Sequence, residues 1–205
     1  MRRALGEALW TKGWLEPAIG ELEAAALVAG IPEAQRLGPR VLASNLRLFL
    51  GEPEEAAAQA HRARAEAERL GDDFAHCLAL QTLAVAAAAK ADVNQAIVLA
   101  RQAVAVADRA SGERNGHLHP HVYLGMVLLD GDRFDEAEVA LQEGRRRAEE
   151  RGTVVWLPLY HCVLAMRRLL IGQWDEALAE TEAGLSLADE VGTRFFAPSL
   201  HGVAA

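Results

Sequence analysis

Glycines close five successive stretches of this chain at Gly30, Gly71, Gly112, Gly152 and Gly192, with spacings of 41, 41, 40 and 40 residues. A second marker keeps the same period. Alanines open the latter half of each stretch at Ala18, Ala56, Ala96, Ala137 and Ala177, spaced 38, 40, 41 and 40. A period of this length constrains the fold more than any other feature, because each repeat is one supersecondary unit that cannot bury its apolar face alone. The units must therefore stack, and the interior is continuous from one to the next.

Seven residues after each marker alanine stands Ala25, Ala63, Ala103, Gly144 or Gly184, and eleven after it stands Ala29, Ala67, Ala107, Ala148 or Ala188. These offsets fall on one side of a helix, so each second helix carries a stripe of very small side chains that admits a close neighbour. Each first helix has its own small residue, at Gly6, Ala43, Ala84, Gly125 and Ala165, preceded by Leu5, Leu42, Leu83, Leu124 and Leu164. Short turns separate the helices: Lys12-Gly13, Gly51-Glu52-Pro53, Ala91-Asp92, Gly131-Asp132 and Gly172-Gln173. Acidic pairs then open the second helix, as in Glu54-Glu55, Asp135-Glu136 and Asp175-Glu176, where the helix dipole favours them. Phe134 and Trp174 are expected to pin the second helix onto the first of the same unit.

Composition agrees with helix-on-helix packing. With 51% hydrophobic but only 5% aromatic residues, the interior must be filled by Ala, Leu and Val, which suits closely packed helices better than sheets. The expected fold is all-α: a right-handed α-solenoid of about five antiparallel helix pairs plus a trailing helix. The units are placed at about 1–30, 31–71, 72–112, 113–152 and 153–192, with 193–205 beginning a sixth through Phe195 and Phe196. No polar capping repeat closes either end, so the segment is expected to be part of a longer chain or to self-associate through its ends.

These phrases resemble the tetratricopeptide (TPR) repeat, in which a Leu-Gly/Ala pair in the first helix meets an early alanine and a later small residue in the second. The resemblance covers essentially the whole chain. The units depart from the familiar 34 residues by about six, and the aromatic expected early in the first helix is replaced by Pro39, Leu80, His121 and His161. Wording such as "GDRFDEAE" and "GQWDEALAE…GLSLADEVG" is similar to the repeat region of MalT-like, LuxR-type ATP-dependent bacterial regulators. That resemblance implies a sensor or relay segment of a transcriptional or signalling protein, flanked by other domains of the same protein.

A net charge of −8 argues against direct nucleic-acid contact, which needs clustered cations. The basic run Arg145-Arg146-Arg147 is answered by Glu149 and Glu150. Two cysteines, Cys77 and Cys162, fit a reduced cytoplasmic setting. No signal peptide opens the chain and no apolar run suits a bilayer. The cluster His117, His119 and His121 is split by Pro120, which starts a helix and spoils a metal set. His121, His161 and His201 lie 40 apart and are read as partly buried packing residues, with a pH-responsive ladder as the alternative. No phosphate loop, nucleophile elbow or zinc-protease motif appears. The expectation is a non-enzyme without cofactor or metal.

In the TPR superhelix the first helix lines the concave face, at positions three before, one after and four after its small residue. The resemblance thus places Arg40, Gln81, Val122 and Cys162, then Ser44, Val85, Met126 and Met166, then Arg47, Ala88, Leu129 and Leu169 on that face. Of these, Arg47, Gln81, Val85, Met126, Leu129, Met166 and Leu169 are the candidate contacts for a protein, a peptide or a small effector. The competing reading is a spacer or self-association module, or burial of the same residues between units.

Overall fold

The computed structural model describes residues 1–110 and 118–204. Among them are eleven α-helices and no strand. They run as pairs: α1 (Arg2–Thr11) with α2 (Leu15–Ala26), α3 (Glu33–Phe49) with α4 (Pro53–Leu70), α5 (Asp73–Ala89) with α6 (Val93–Arg109). Then come α7 (Pro120–Leu129) with α8 (Phe134–Glu150), α9 (Leu157–Leu170) with α10 (Trp174–Val191), and a lone α11 (Ala197–Ala204). A 3-10 turn at Val154–Trp156 leads into α9. The chain is an all-α solenoid in which each helix packs chiefly on its neighbours in sequence.

The local chemistry sets these limits. Pro53 takes the first position of α4, where its missing N–H costs nothing. Asp72 and Asp92 cap α5 and α6 by accepting from the Ala75 and Gln95 amides. Gly71 and Gly192 end α4 and α10 in the left-handed conformation that favours glycine. Gly112 lies outside the described residues. The first pair is shorter than expected: α2 ends at Ala26, so Ala29 falls beyond the helix. Phe195 and Phe196 also precede α11 rather than opening it.

The core is built largely of alanine. Ala18, Ala56, Ala60, Ala96, Ala100, Ala103 and Ala137 are fully or nearly fully buried, as are Leu22, Leu37, Leu80, Leu141 and Leu164. The small stripe on the second helices is a steric requirement at Gly144. A β-carbon there would lie 2.6 Å from the Cβ of His121 and from Cε1 and Oη of Tyr160, so helices of two successive pairs meet on one glycine.

Contacts between first and second helices correct the register in the second pair. A β-carbon on Gly6 would lie 3.1 Å from the Ala18 carbonyl twelve residues on. In the second pair the residue facing that carbonyl is Ser44, whose hydroxyl donates to the Ala56 carbonyl at 2.8 Å. Ser44, not Ala43, is therefore the counterpart of Gly6, Ala84, Gly125 and Ala165. All five then precede the marker alanine by twelve residues. Inner-row positions in this pair become Val41, Asn45 and Leu48.

Trp174 also departs from expectation. Phe134 is half-buried against the core, and its carbonyl accepts from Arg167 Nε of α9 at 2.8 Å. Trp174 is 71% exposed instead.

Candidate functional site: the inner row of the first helices

The first helices place Val41, Gln81, Val122 and Cys162 in one row, Asn45, Val85, Met126 and Met166 in a second, and Trp10, Leu48, Ala88, Leu129 and Leu169 in a third. Residues far apart in sequence meet beside these rows. Tyr123 of α7 donates to Oδ1 of Asn45 on α3 at 3.2 Å, past the intervening α5. The Asn45 amide donates to Thr82 on α5 at 3.1 Å, and the Thr82 hydroxyl donates to the Leu78 carbonyl. Trp10 of α1 packs on Trp156 and on Phe195 and Phe196, all with ring centroids 5.3–6.3 Å away.

Burial along the rows is uneven. Gln81 is 1% exposed, and neither its amide nitrogen nor its carbonyl oxygen has a hydrogen-bond partner among the described residues. Leu129 is buried, and Val85 and Met126 are half-buried. Met166 and Leu169 are 42% and 44% exposed and continue into exposed Leu170, Ile171, Trp174 and Leu178 at the end of α9 and the start of α10. An unpaired buried amide costs free energy comparable to a lost hydrogen bond, so Gln81, both of whose polar side-chain atoms are unpaired, is an energetic anomaly.

Arg47 does not join this set. With the corrected register it lies one residue off the inner rows, pairing with Glu23 of α2 and with Glu52 at the start of α4, both at 2.6 Å. The Glu23 hydrogen bond, opposed by partial burial, holds its pKa above the ordinary arginine value. Arg168 makes the equivalent bridge, from α9 to Glu138 of α8 at 3.2 Å and to Gln173 at 2.8 Å. Both arginines staple a first helix to the preceding second helix. Arg167 adds an ion pair to the same Glu138 at 2.9 Å, close but not aligned as a hydrogen bond.

On the opposite side, neighbouring second helices leave clefts floored by first helices. One of about 450 Å³ lies between α2 and α4, lined by Glu23, Leu27, Arg40, Gln59, Arg62 and Glu66. Arg40 pairs with Glu66 there. A second, also about 450 Å³, lies between α6 and α8 over His121 and Leu124. Their walls carry charges of both signs, and two pairs cross between helices, Arg40 with Glu66 and Arg101 with Glu136.

The histidines have separate surroundings. His119 caps α7 and stacks on Trp156, centroids 4.9 Å apart. His121 is buried, and burial pulls its pKa below the ordinary histidine value. His161 Nδ1 lies 2.7 Å from a carboxylate oxygen of Glu180, and that contact pulls the carboxyl below the usual range against the opposing effect of burial. His201 is exposed on α11. His117 lies outside the described residues, and no group of three potential metal ligands occurs among those described. Burial pushes both thiols up, Cys162 to about 11 and Cys77 further. The Cys77 thiol donates to the Ala103 carbonyl, and both cysteines are buried and free of a disulfide. No described helix is long and apolar enough to cross a membrane.

Sequence reasoning missed the aromatic closure altogether, since contacts between Trp10 and Phe195 leave no periodic trace in the chain. It also missed the Asn45–Tyr123 bond, although the twelve-residue spacing to the marker alanines was a signal that would have placed Asn45 on the inner row.

No protein-family model matches the chain, and no curated protein matches it by sequence. Solved structures do match in fold. The apo form of RapI superposes with a TM-score of 0.63 at 13% identity, over 93% of this chain and 70% of that one. Two structures of a Podosopora anserina kinesin light chain protein with nearly identical TPR-like repeats superpose with TM-scores of 0.55 and 0.53. Both are 18% identical and cover 93% of this chain and 94% of theirs. At such identities the likeness is one of architecture, and it establishes that the chain has the fold of TPR-like helical-repeat proteins.

Proposed function

We propose that this chain is a non-catalytic binding scaffold whose inner rows take an amphipathic peptide or apolar effector, as the sensor or relay segment of a bacterial transcriptional or signalling regulator. The observation that carries this reading is Gln81: a buried amide with both polar atoms unpaired, in register with half-buried Val85 and Met126 and continuous with exposed Met166 and Leu169. A polar anchor within an apolar, methionine-bearing row is the pattern of an adaptable binding surface. The regulator assignment rests on the phrasing shared with LuxR-type repeat regions, and implies a cytoplasmic setting beside other domains of one protein. RapI, a protein of similar architecture, adds plausibility to the fold and none to the ligand.

A second reading, self-association, is favoured by one observation: Leu170, Ile171, Trp174 and Leu178 form an exposed apolar end to the last complete helix pair. One experiment separates the two. Amphipathic peptides and small apolar compounds are screened by thermal shift against the full chain, and any binder is then titrated into Met126→Glu and Met166→Glu. The inner-row reading expects at least a tenfold loss of affinity in both, with oligomeric state unchanged. Two folded variants with unaltered affinity overturn it.

A further inference from the structure

The segment joining α10 to α11 is held against the opposite end of the molecule by backbone and ring contacts, as a bound peptide would be. The Thr11 carbonyl accepts from the Arg194 amide at 3.0 Å and from the Thr193 hydroxyl at 3.1 Å. Lys12 Nζ donates to the Gly192 carbonyl at 3.2 Å. Phe195 presents itself edge-on between Trp10, 5.3 Å away, and Phe49, 4.8 Å away. Phe196, 4.7 Å from Phe195, fills the remaining space towards Trp156 at 6.1 Å.

Two properties set this seam apart from the rest of the interior. First, helix pairs hold one another through continuous stripes of buried alanine, whereas the seam depends on a few rings and three hydrogen bonds. Second, although Trp10, Thr193 and Phe196 are buried, its rim is wet: Phe49 is 39% exposed, Phe195 is half-buried and Lys12 lies on the surface. Regions with few buried contacts and accessible hydrogen bonds open at the lowest free energy. Once open, the receiving surface would comprise the Trp10 and Phe49 rings beside the Thr11 carbonyl at the C-terminus of α1, where the helix dipole favours donors and cations.

We propose that Thr193–Phe196 is a releasable internal ligand, and that the surface formed by Trp10, Phe49 and the end of α1 binds an external peptide of the same chemistry: a short stretch with a hydrogen-bond donor, a basic residue and adjacent aromatic side chains. Displacement of the internal strap uncovers Trp10, the one inner-row residue on which Phe195 and Phe196 pack. This rests on the reading of those rows as a binding surface, and it names the kind of partner and the step that admits it.

The probe is the peptide acetyl-Thr-Arg-Phe-Phe-amide. Titrated into the full-length Phe195→Ala variant, it binds at least tenfold more tightly than to the unaltered chain, whose strap competes, and adding Phe49→Ala removes that gain. Equal affinity for the unaltered chain and Phe195→Ala overturns the proposal. Should Phe195→Ala fail to fold, native-state hydrogen exchange of the unaltered chain decides. The Arg194 amide exchanges at least a hundredfold faster than amides in the middle of α9, and its exchange speeds up further as the peptide is added. An Arg194 amide that exchanges with the α9 amides sinks the latch while leaving the inner-row reading intact. Fast exchange together with unaltered ligand affinity in Met126→Glu and Met166→Glu sinks that reading and leaves the latch.

Discussion

Tyr123 and Asn45, 78 residues apart, share a buried hydrogen bond of 3.2 Å that links α7 to α3 across α5. The Tyr123 ring is wholly enclosed, and burial raises its pKa despite the opposing Asn45 bond. Removing only the hydroxyl leaves Asn45 Oδ1 desolvated and unpaired. Tyr123→Phe should therefore cost about 1–3 kcal/mol, read as a lower urea midpoint at unchanged slope. Replacing both partners, as Tyr123→Phe with Asn45→Leu, should recover part of that loss, since an apolar pair leaves less unsatisfied. A single variant as stable as the parent would mean that the bond contributes nothing to the curl.

Two glycines in second helices should respond oppositely to the same change. Gly20 lies in α2 with open space around a would-be β-carbon. Gly20→Ala should therefore stabilise by about 0.5–1 kcal/mol through helix propensity alone. Gly144 has His121 and Tyr160 within 2.6 Å of that position. Gly144→Ala should lose about 1–3 kcal/mol by overpacking. Thermal midpoints moving in the same direction would show that the close approach at Gly144 is not a constraint.

The repeat period, the pairing of helices, the acidic helix starts and the glycine stops at Gly71 and Gly192 were legible in the chain because they are local or periodic signals. The register of α3 was not read correctly, for a simple physical reason: Ala43 and Ser44 are both small enough to face a second helix. Only the hydrogen bond from Ser44 to Ala56 decides between them, and that choice moves Arg47 out of the inner rows. Trp174 misled because an aromatic at a helix start can face either the core or solvent: Phe134 packs against the core, whereas Trp174 is 71% exposed. The strap from Thr193 to Phe196 was invisible, since its partners Thr11, Trp10 and Phe49 belong to other units and no offset within a repeat points to them.

Histidine burial predicts the acid side of the stability profile. His121, facing Arg147, Asp108, Glu143 and Arg151, has its pKa lowered chiefly by desolvation, and His76 likewise, with Glu68, Arg64, Arg109 and Asp73 around it. In the unfolded chain both titrate near ~6.5. The folded state thus binds fewer protons between the lowered values and ~6.5, so stability is complete above that pH and falls as pH drops through the window. Glu143, held at about 2 chiefly by its Arg146 bond, and Glu180, held low by His161, lose their contributions only at lower pH, below the unfolded glutamate value of ~4.3. The urea midpoint should accordingly be lower at pH 5.5 than at 7.5, and the difference should shrink in His121→Gln combined with His76→Gln. A midpoint flat across that range would contradict the sign.

Truncation after Gly152 tests how far the stacking of neighbours outweighs the closure between ends. In a solenoid each unit draws its stability from its own packing and the adjacent interface, so α1 to α8 should remain folded when α9 to α11 are removed. The closure complicates this, because Trp10 loses Trp156, Phe195 and Phe196 together. Trp10 and Trp14 are then the only tryptophans left, and Trp14 is already exposed. The truncated chain should therefore keep most of its far-ultraviolet helix signal per residue while its tryptophan emission shifts to longer wavelength. Its loss of stability should also exceed that of a variant lacking only α11, since aromatic pairs contribute about 0.5–1.5 kcal/mol each beyond their buried area. Complete loss of helix signal would mean that the ring formed by Trp10 and the strap, and not the stack of alanine-lined pairs, holds the fold together.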